Sequence, residues 1–220
     1  MRVEWYGQSA FHLSGGGQSV AIDPFPEIPA SRGMQFDYPP IEGVEADLLL
    51  VTHEHIDHNH VDAIGGEPAI LRSTAGTLES PLGQVTAIAS EHDEQAGTAR
   101  GPNTIFVFTL DGLRVCHFGD FGQRGMREEQ VEAIGAVDLL IVPVGGGPTI
   151  GAEQASLVVE RLSPRWVVPM HYRTPRIGFL ETAEEFLGRS PHVERLSESA
   201  FETSALPTEH TPLVVVPAAP

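Results

Sequence analysis

Four histidines and an aspartate, all able to ligate a metal, lie within eight residues: His53, His55, Asp57, His58 and His60, in the run Thr-His-Glu-His-Ile-Asp-His-Asn-His. Imidazole nitrogen and carboxylate oxygen bind zinc at about 2.0–2.2 Å, and one tetrahedral ion has room for only about four ligands. The cluster exceeds what one ion can use and suits two adjacent ions. Two cations roughly 3.5–4 Å apart can share a hydroxide and clamp both oxygens of a displacement, which supplies a nucleophile without any Ser or Cys. The plain alternative is a solvated loop rich in histidine. An apolar strand, Asp47-Leu-Leu-Leu-Val-Thr52, runs directly into the cluster and speaks against it.

That strand aims His53 and His55 to one side, because residues two apart on an extended chain share a face. Asp57 and His58 follow as the chain turns out and approach from a second direction. The elements needed to hold them are legible as hydrophobic alternation. Residues 3–5, 10–13 and 20–22 read as a meander of three short strands. Five prolines between residues 24 and 43 predict an irregular surface excursion. Further strands are expected at 69–72, 84–89, 104–109, 113–118, 139–144 and 166–169, with 213–216 closing a sheet edge. Helices are expected at 62–65, 127–134, 152–162 and 183–187. The third carries an apolar stripe of Ala155, Val158, Val159 and Leu162, and the fourth opens with Thr182 and Glu185 in capping-box spacing. With no repeat and no linker, the chain reads as one domain, 1–220, of mixed α and β structure.

Charge narrows the function classes. Thirty acidic residues against thirteen basic ones leave −17. That balance disfavours nucleic acid and anionic membrane surfaces, which recruit clustered Lys and Arg. No lysine is present, so Schiff-base and P-loop chemistry have no nucleophile or phosphate hook. The single cysteine, Cys116, excludes a CxxC zinc knuckle and reads as a small buried residue. No apolar run reaches the roughly 18 residues of a membrane span, and no leader is recognised, so a cytoplasmic location is expected.

The H-x-H-x-D-H run after an apolar strand and a Thr resembles the signature of the metallo-β-lactamase superfamily. Asp23 in Ala-Ile-Asp-Pro, His92 in Ser-Glu-His-Asp, Asp120 in His-Phe-Gly-Asp and His171 in Pro-Met-His-Tyr match the rest of its pattern in order. Trp-Tyr-Gly-Gln-Ser-Ala-Phe, Ile-Asp-Pro-Phe and Pro-Val-Gly-Gly-Gly are most similar to a subgroup of small zinc-dependent hydrolases. That subgroup includes ascorbate-6-phosphate lactonase and N-acyl-phosphatidylethanolamine phospholipase D. The resemblance implies a four-layer αβ/βα sandwich with the site at one edge between two sheets. It implies that His53, His55 and His92 hold one metal, that Asp57, His58 and His171 hold a second, and that Asp120 bridges. Asp57 would also orient the hydroxide or take its proton, which makes Asp57 and Asp120 the catalytic carboxylates. Asp23 would fix a ligand ring by accepting its N–H.

The expected cofactors are two divalent ions, zinc first, with manganese or iron as alternatives. The expected reaction is hydrolysis of an ester, lactone or phosphodiester bond in a small, anionic substrate. A non-catalytic metal-binding scaffold or sensor of the same fold is the competing reading, and a homo-oligomer is left open. His60 reads as a loop residue, His117 as a supporting or core residue, and His12 as structural. Arg173 and Arg176, close after His171, are the candidate anion contacts, since a guanidinium binds phosphate or carboxylate bidentately. Gly145 to Thr149 forms either an anion cradle at a helix start or a tight turn.

Overall fold

The computed structural model describes residues 1–28 and 35–220. The opening meander is β1 (Arg2–Gly7), β2 (Ala10–Gly15) and β3 (Gln18–Ile22), each antiparallel to the one before. Two short strands, β4 (Val44–Glu45) and β6 (Ile64–Gly65), pair with each other on either side of β5 (Leu48–Val51) in the chain. Then come β7 (Ala69–Arg72), β8 (Gly76–Ser80), β9 (Gly83–Glu91), β10 (Pro102–Leu110) and β11 (Leu113–His117). Helices α1 (Glu128–Ile134), α2 (Ala152–Leu162) and α3 (Glu184–Gly188) alternate with β12 (Leu139–Pro143) and β13 (Trp166–Met170). The last strands are β14 (Val193–Arg195), β15 (Ala200–Glu202) and β16 (Leu213–Val216).

These strands build two large sheets, one of six in the order β15-β1-β2-β3-β5-β7 and one of eight in the order β14-β16-β13-β12-β11-β10-β9-β8. Their inner faces share one core, in which Trp5, Phe11, Leu13 and Leu50 of the first sheet join Ile105, Phe106, Val115 and Ile141 of the second. Such burial contributes about 1.5–3 kcal/mol per large side chain. The stripe Ala155, Val158, Val159 and Leu162 seats α2 in the same cluster, as its spacing predicts. The expected sandwich of two sheets is present.

Strand direction gathers the site. β1 and β3 both run antiparallel to β2, and β3, β5 and β7 run parallel, so β1, β3 and β5 end at one edge. In the other sheet β11, β12 and β13 are parallel, and β9 shares their direction because both it and β11 oppose β10. Open α/β sheets bind ligands beyond the carboxyl ends of such strands.

Several local expectations are corrected. Residues 62–65 do not form a helix: a single 3-10 turn, Val61–Ala63, leads into β6, whose pairing with β4 takes the backbone groups a helix would need. Thr182 caps nothing, because α3 begins at Glu184 with Ala183 before it and no side-chain cap bond. The proline-rich stretch is more than surface. Phe25, Ile28, Phe36, Tyr38 and Ile41 form a second core against Ala10, Ala21, Leu49 and Val51 on the outer face of the six-stranded sheet. Phe25 meets Phe36 edge-on at 5.0 Å, a geometry worth about 0.5–1.5 kcal/mol beyond area burial. Among the described residues no member of α1, α2 or α3 belongs to that cluster, so a folded-over segment fills that outer layer. Pro29, in the same stretch, lies outside the described residues. β16 is flanked by β14 and β13 and so closes no edge; β14, three residues of which one is half-buried and two are exposed, carries too short a pattern to stand out in the sequence.

Candidate metal centre

The site forms where β3, β5, β9, β11 and β13 end. Asp23 leaves β3 in a left-handed conformation, φ 48°, which Asp tolerates better than most residues. Its buried carboxylate accepts three bonds: from the Thr52 backbone N–H at 2.8 Å, the Thr52 hydroxyl at 2.7 Å and His58 Nδ1 at 3.0 Å. The single Thr52 hydroxyl proton goes to Asp23, so the Thr52 oxygen accepts from His53 Nδ1, 3.0 Å away. His92 Nδ1 donates to the Pro148 carbonyl at 3.0 Å. The outer nitrogens of these three rings are thus engaged on oxygen, and each Nε2 faces inward, as in metal-bound imidazoles steadied from behind by oxygen.

Asp120 Oδ2 sits among those inner nitrogens, 3.3 Å from His58 Nε2, 3.2 Å from His92 Nε2 and 3.2 Å from His171 Nε2. Asp57 Oδ2 approaches His58 Nε2 at 3.6 Å from the more open side. Potential ligand atoms of His53, His55 and His92 all lie within 4.8 Å of one another, and so do those of His53, His58 and Asp120. His58 Nε2 is fully buried and has no hydrogen-bond partner among the described residues. Facing carboxylate oxygen, this nitrogen needs a positive charge, which a second proton supplies in the metal-free protein and a divalent ion would supply in its place. The donor set thus fits a divalent ion, which hard oxygen and borderline nitrogen ligands favour.

The local chain supports this placement. Glu54, between the first two histidines, accepts from Arg72, Ser73 and Asn59, and the Arg72 guanidinium holds its carboxyl down at about 2. His171 turns with φ 51° directly after β13. Gly145 passes so close behind it that a Cβ would overlap the His171 carbonyl.

Protonation follows from the same contacts. Burial alone would lower the His58 pKa, but Asp120, Asp57 and Asp23 raise it well above 6.5. Burial opposes charge on Asp120 too, yet His171 and His58 hold it well below 3.8. His53, His55 and His117 are lowered, in each case first by desolvation. In the metal-free protein, folded His58 keeps a proton that the unfolded chain releases above 6.5, so stability is lost as pH rises through its folded value. The three lowered histidines act oppositely: the unfolded chain binds protons that the folded one refuses, so stability is lost as pH falls below 6.5. Asp120 adds stability that is lost only at still lower pH, below the ordinary 3.8. Melting in chelator is expected to peak near pH 6.5, with the acid limb the steeper. Each fully linked proton is worth about 1.4 kcal/mol per pH unit.

The structure brings together His53, His55, Asp57, His58, His92, Asp120 and His171, with Asp23 behind His58. His60 lies outside both donor groups and begins the 3-10 turn. His117 has both nitrogens engaged, Nε2 on the Ser9 carbonyl and Nδ1 accepting from Gly119 N–H, so it supports the site and cannot ligate. Cys116 is fully buried, and burial raises its thiol pKa far above any thiolate range. Arg176 turns its Nε to the Pro220 carbonyl, and Arg173 is exposed, its backbone N–H bonded to the Glu181 carbonyl. Sequence reasoning missed Thr52, Pro148, Gln8 and Ser9. Thr52 left a signal by its place between strand and histidines, while Gln8, Ser9 and Pro148 stood inside noted stretches, 5–11 and 145–149, without a role assigned to them.

A cleft of about 440 Å³ opens beside His92, between the 93–100 loop and Gly146 to Gly151. Asp93 organises the loop: desolvation opposes its charge, but backbone N–H groups of Arg100, Gln95, Gly97 and Ala99 hold its carboxyl low. Arg100 lines the cleft and has no ion-pair partner among the described residues.

Comparison with known proteins agrees with this geometry. Residues 2–171 match the family model of the beta-lactamase superfamily domain. A UPF0173 protein of Pyrococcus abyssi is 30% identical over 212 residues, covering 86% of this chain and 91% of the relative. A UPF0173 metal-dependent hydrolase of Thermococcus kodakarensis is 32% identical over 218 residues, covering 84% and 90%. A Thermotoga maritima structure, assigned to the zinc-dependent hydrolases of the metallo-beta-lactamase superfamily, superposes with a TM-score of 0.77 at 29% identity over 99% of both chains. One from Parabacteroides distasonis, with a TM-score of 0.64 at 20% identity over 85% and 86%, shares the fold. The family match over residues 2–171, together with these relatives, makes this protein a member of the metallo-β-lactamase superfamily.

Proposed function

We propose that this chain is a metal-dependent hydrolase with a two-ion centre, zinc first and manganese or iron as alternatives. It cleaves an ester, lactone or phosphodiester bond of a small anionic substrate. One observation carries the reading: the Nδ1 atoms of His53, His58 and His92 are engaged outward on oxygen while their Nε2 atoms converge on Asp120 and one another. His53, His55 and His92 would hold one ion, and Asp57, His58 and His171 the other, with Asp120 facing both. Such a pair supplies a hydroxide nucleophile near neutral pH and a Lewis acid for developing negative charge. Asp57, a quarter exposed, is the carboxylate able to take up a proton and pass it to solvent. We read residues 1–220 as one domain, because β16 is inserted between β14 and β13 of the eight-stranded sheet.

The cleft beside His92 supports a small substrate, and Arg100 is its cation. Arg100→Ala is expected to raise KM for an anionic substrate about tenfold, the scale of losing one charge-assisted hydrogen bond, with kcat and metal content unchanged. Arg176→Ala should leave KM as it is. Steady-state kinetics on both variants decide between the two arginines.

Elemental analysis after equilibration with zinc, manganese or iron tests the centre. A panel of an aryl ester, a lactone and bis(p-nitrophenyl) phosphate tests the reaction. Two ions with turnover of one class supports the reading. Two ions with no turnover on any class favours the scaffold. No ion at all overturns both.

A further inference from the structure

The turn between β1 and β2 carries two side chains that the metal reading leaves without a role. Gly7 has φ 109°, and a Cβ there would overlap the Tyr38 ring. Gln8 follows with φ 50°, a left-handed conformation uncommon outside glycine and asparagine. Its carbonyl accepts from Trp5 Nε1 at 3.1 Å and from the His171 backbone N–H at 3.3 Å, which ties the turn to the strand end that carries a candidate ligand. The Gln8 side chain is buried, with Nε2 3.4 Å from Asp57 Oδ2 and Oε1 without a partner among the described residues. An ionised Asp57 only accepts, so the amide must present its nitrogen there. Ser9 is fully buried; its hydroxyl donates to Asp120 Oδ1 at 3.0 Å and its carbonyl accepts from His117 Nε2.

Asp120 has two oxygens, and Ser9 occupies one. The other, Oδ2, is the atom that faces His58, His92 and His171. The carboxylate torsion of Asp is soft and roughly two-fold, so bonds to neighbours select which oxygen faces where. A turn needed only to reverse the chain gains nothing from a buried amide held in a strained conformation with an unpaired acceptor.

We propose that Gln8 and Ser9 are positioning residues of the centre. Ser9 assigns Asp120 Oδ2 to the three histidines, and Gln8 sets the Asp57 carboxylate beside His58. The proposal rests on the reading that this centre binds metal.

The test compares the wild type with Ser9→Ala, Ser9→Thr and Gln8→Asn. Asparagine is at ease in the left-handed conformation but is one methylene too short to reach Asp57. Each protein is stripped, melted in chelator, and titrated with zinc alone against a chromophoric chelator; the cobalt-substituted form gives a visible spectrum that reports coordination geometry. Gln8→Asn is expected to melt with the wild type when metal-free and Ser9→Ala a few degrees lower, because Asp120 Oδ1 loses its buried donor. Both are expected to bind zinc about 10–100-fold more weakly, Gln8→Asn with no loss of stability to account for it, and with an altered cobalt spectrum. Ser9→Thr, which keeps the hydroxyl, should restore both. Equal zinc affinity and spectra in all four proteins overturn the positioning role and leave the metal centre standing. Weaker binding that merely tracks a lower metal-free melting temperature makes the turn structural and overturns it too. If Ser9→Ala does not fold, Gln8→Asn carries the same comparison, since its side chain makes one long bond. A wild type that takes up no zinc overturns this proposal together with the reading beneath it.

Discussion

An Asp120→Ala variant is expected to keep at most about one ion per chain and to lose about a thousandfold in turnover. Among the described residues Asp120 Oδ2 is the only carboxylate oxygen within 3.3 Å of three inward imidazole nitrogens, and the variant leaves those nitrogens facing an apolar void. A two-metal clamp is worth several kcal/mol to a hydrolytic transition state; about 4 kcal/mol corresponds to about a thousandfold. Asp120→Asn separates charge from shape, because its amide oxygen can still accept from Ser9. It should lose metal as Asp120→Ala does. The metal-free form should also lose part of its melting peak, since His58 no longer has its main anionic partner. Elemental analysis and melting on the same samples check both statements. Retention of two ions by Asp120→Ala would remove Asp120 from the centre.

The second large effect is on folding. Asp23→Ala is expected to cost about 3–5 kcal/mol, the usual penalty for removing one partner of a buried charged network. It strands a backbone N–H, a hydroxyl and an imidazole N–H at once, all buried. In a chain of 220 residues, about 1 kcal/mol moves the midpoint by roughly 2–4 °C, so a fall of about 10 °C is expected. Asp23→Asn retains an acceptor for Thr52 and accepts the φ of 48°, and should lose less than half as much. Urea or thermal unfolding in chelator measures this apart from metal binding. A midpoint within a degree or two of the wild type would mean that Asp23 does not hold His58.

Asp23 also shows how far local pattern reaches. Its place at the end of a short apolar strand is legible, and so is the Leu48–Val51 strand leading to His53, because alternation and apolar runs reflect neighbours in the chain. Capping at residue 182 and a helix at 62–65 look equally plausible by local spacing, and both fail. There the decisive partners, the β4–β6 pairing and the docking of α3, are set by packing. Arg173 and Arg176 are near His171 in sequence, yet Arg176 reaches the Pro220 carbonyl while Arg100 lines the cleft.

From its residues alone this protein declares a metal-binding cluster, a mixed α and β core and an acidic surface. Ligand types and strand periodicity are properties of contiguous sequence and need no partner to be read. The choice of partners belongs to the tertiary structure. Which nitrogen of each histidine faces inward, which oxygen of Asp120 faces them, and which arginine borders the cleft depend on bonds between residues as much as 111 positions apart, as Ser9 and Asp120 are. Those bonds exist only once parallel strands of two sheets end at the same edge.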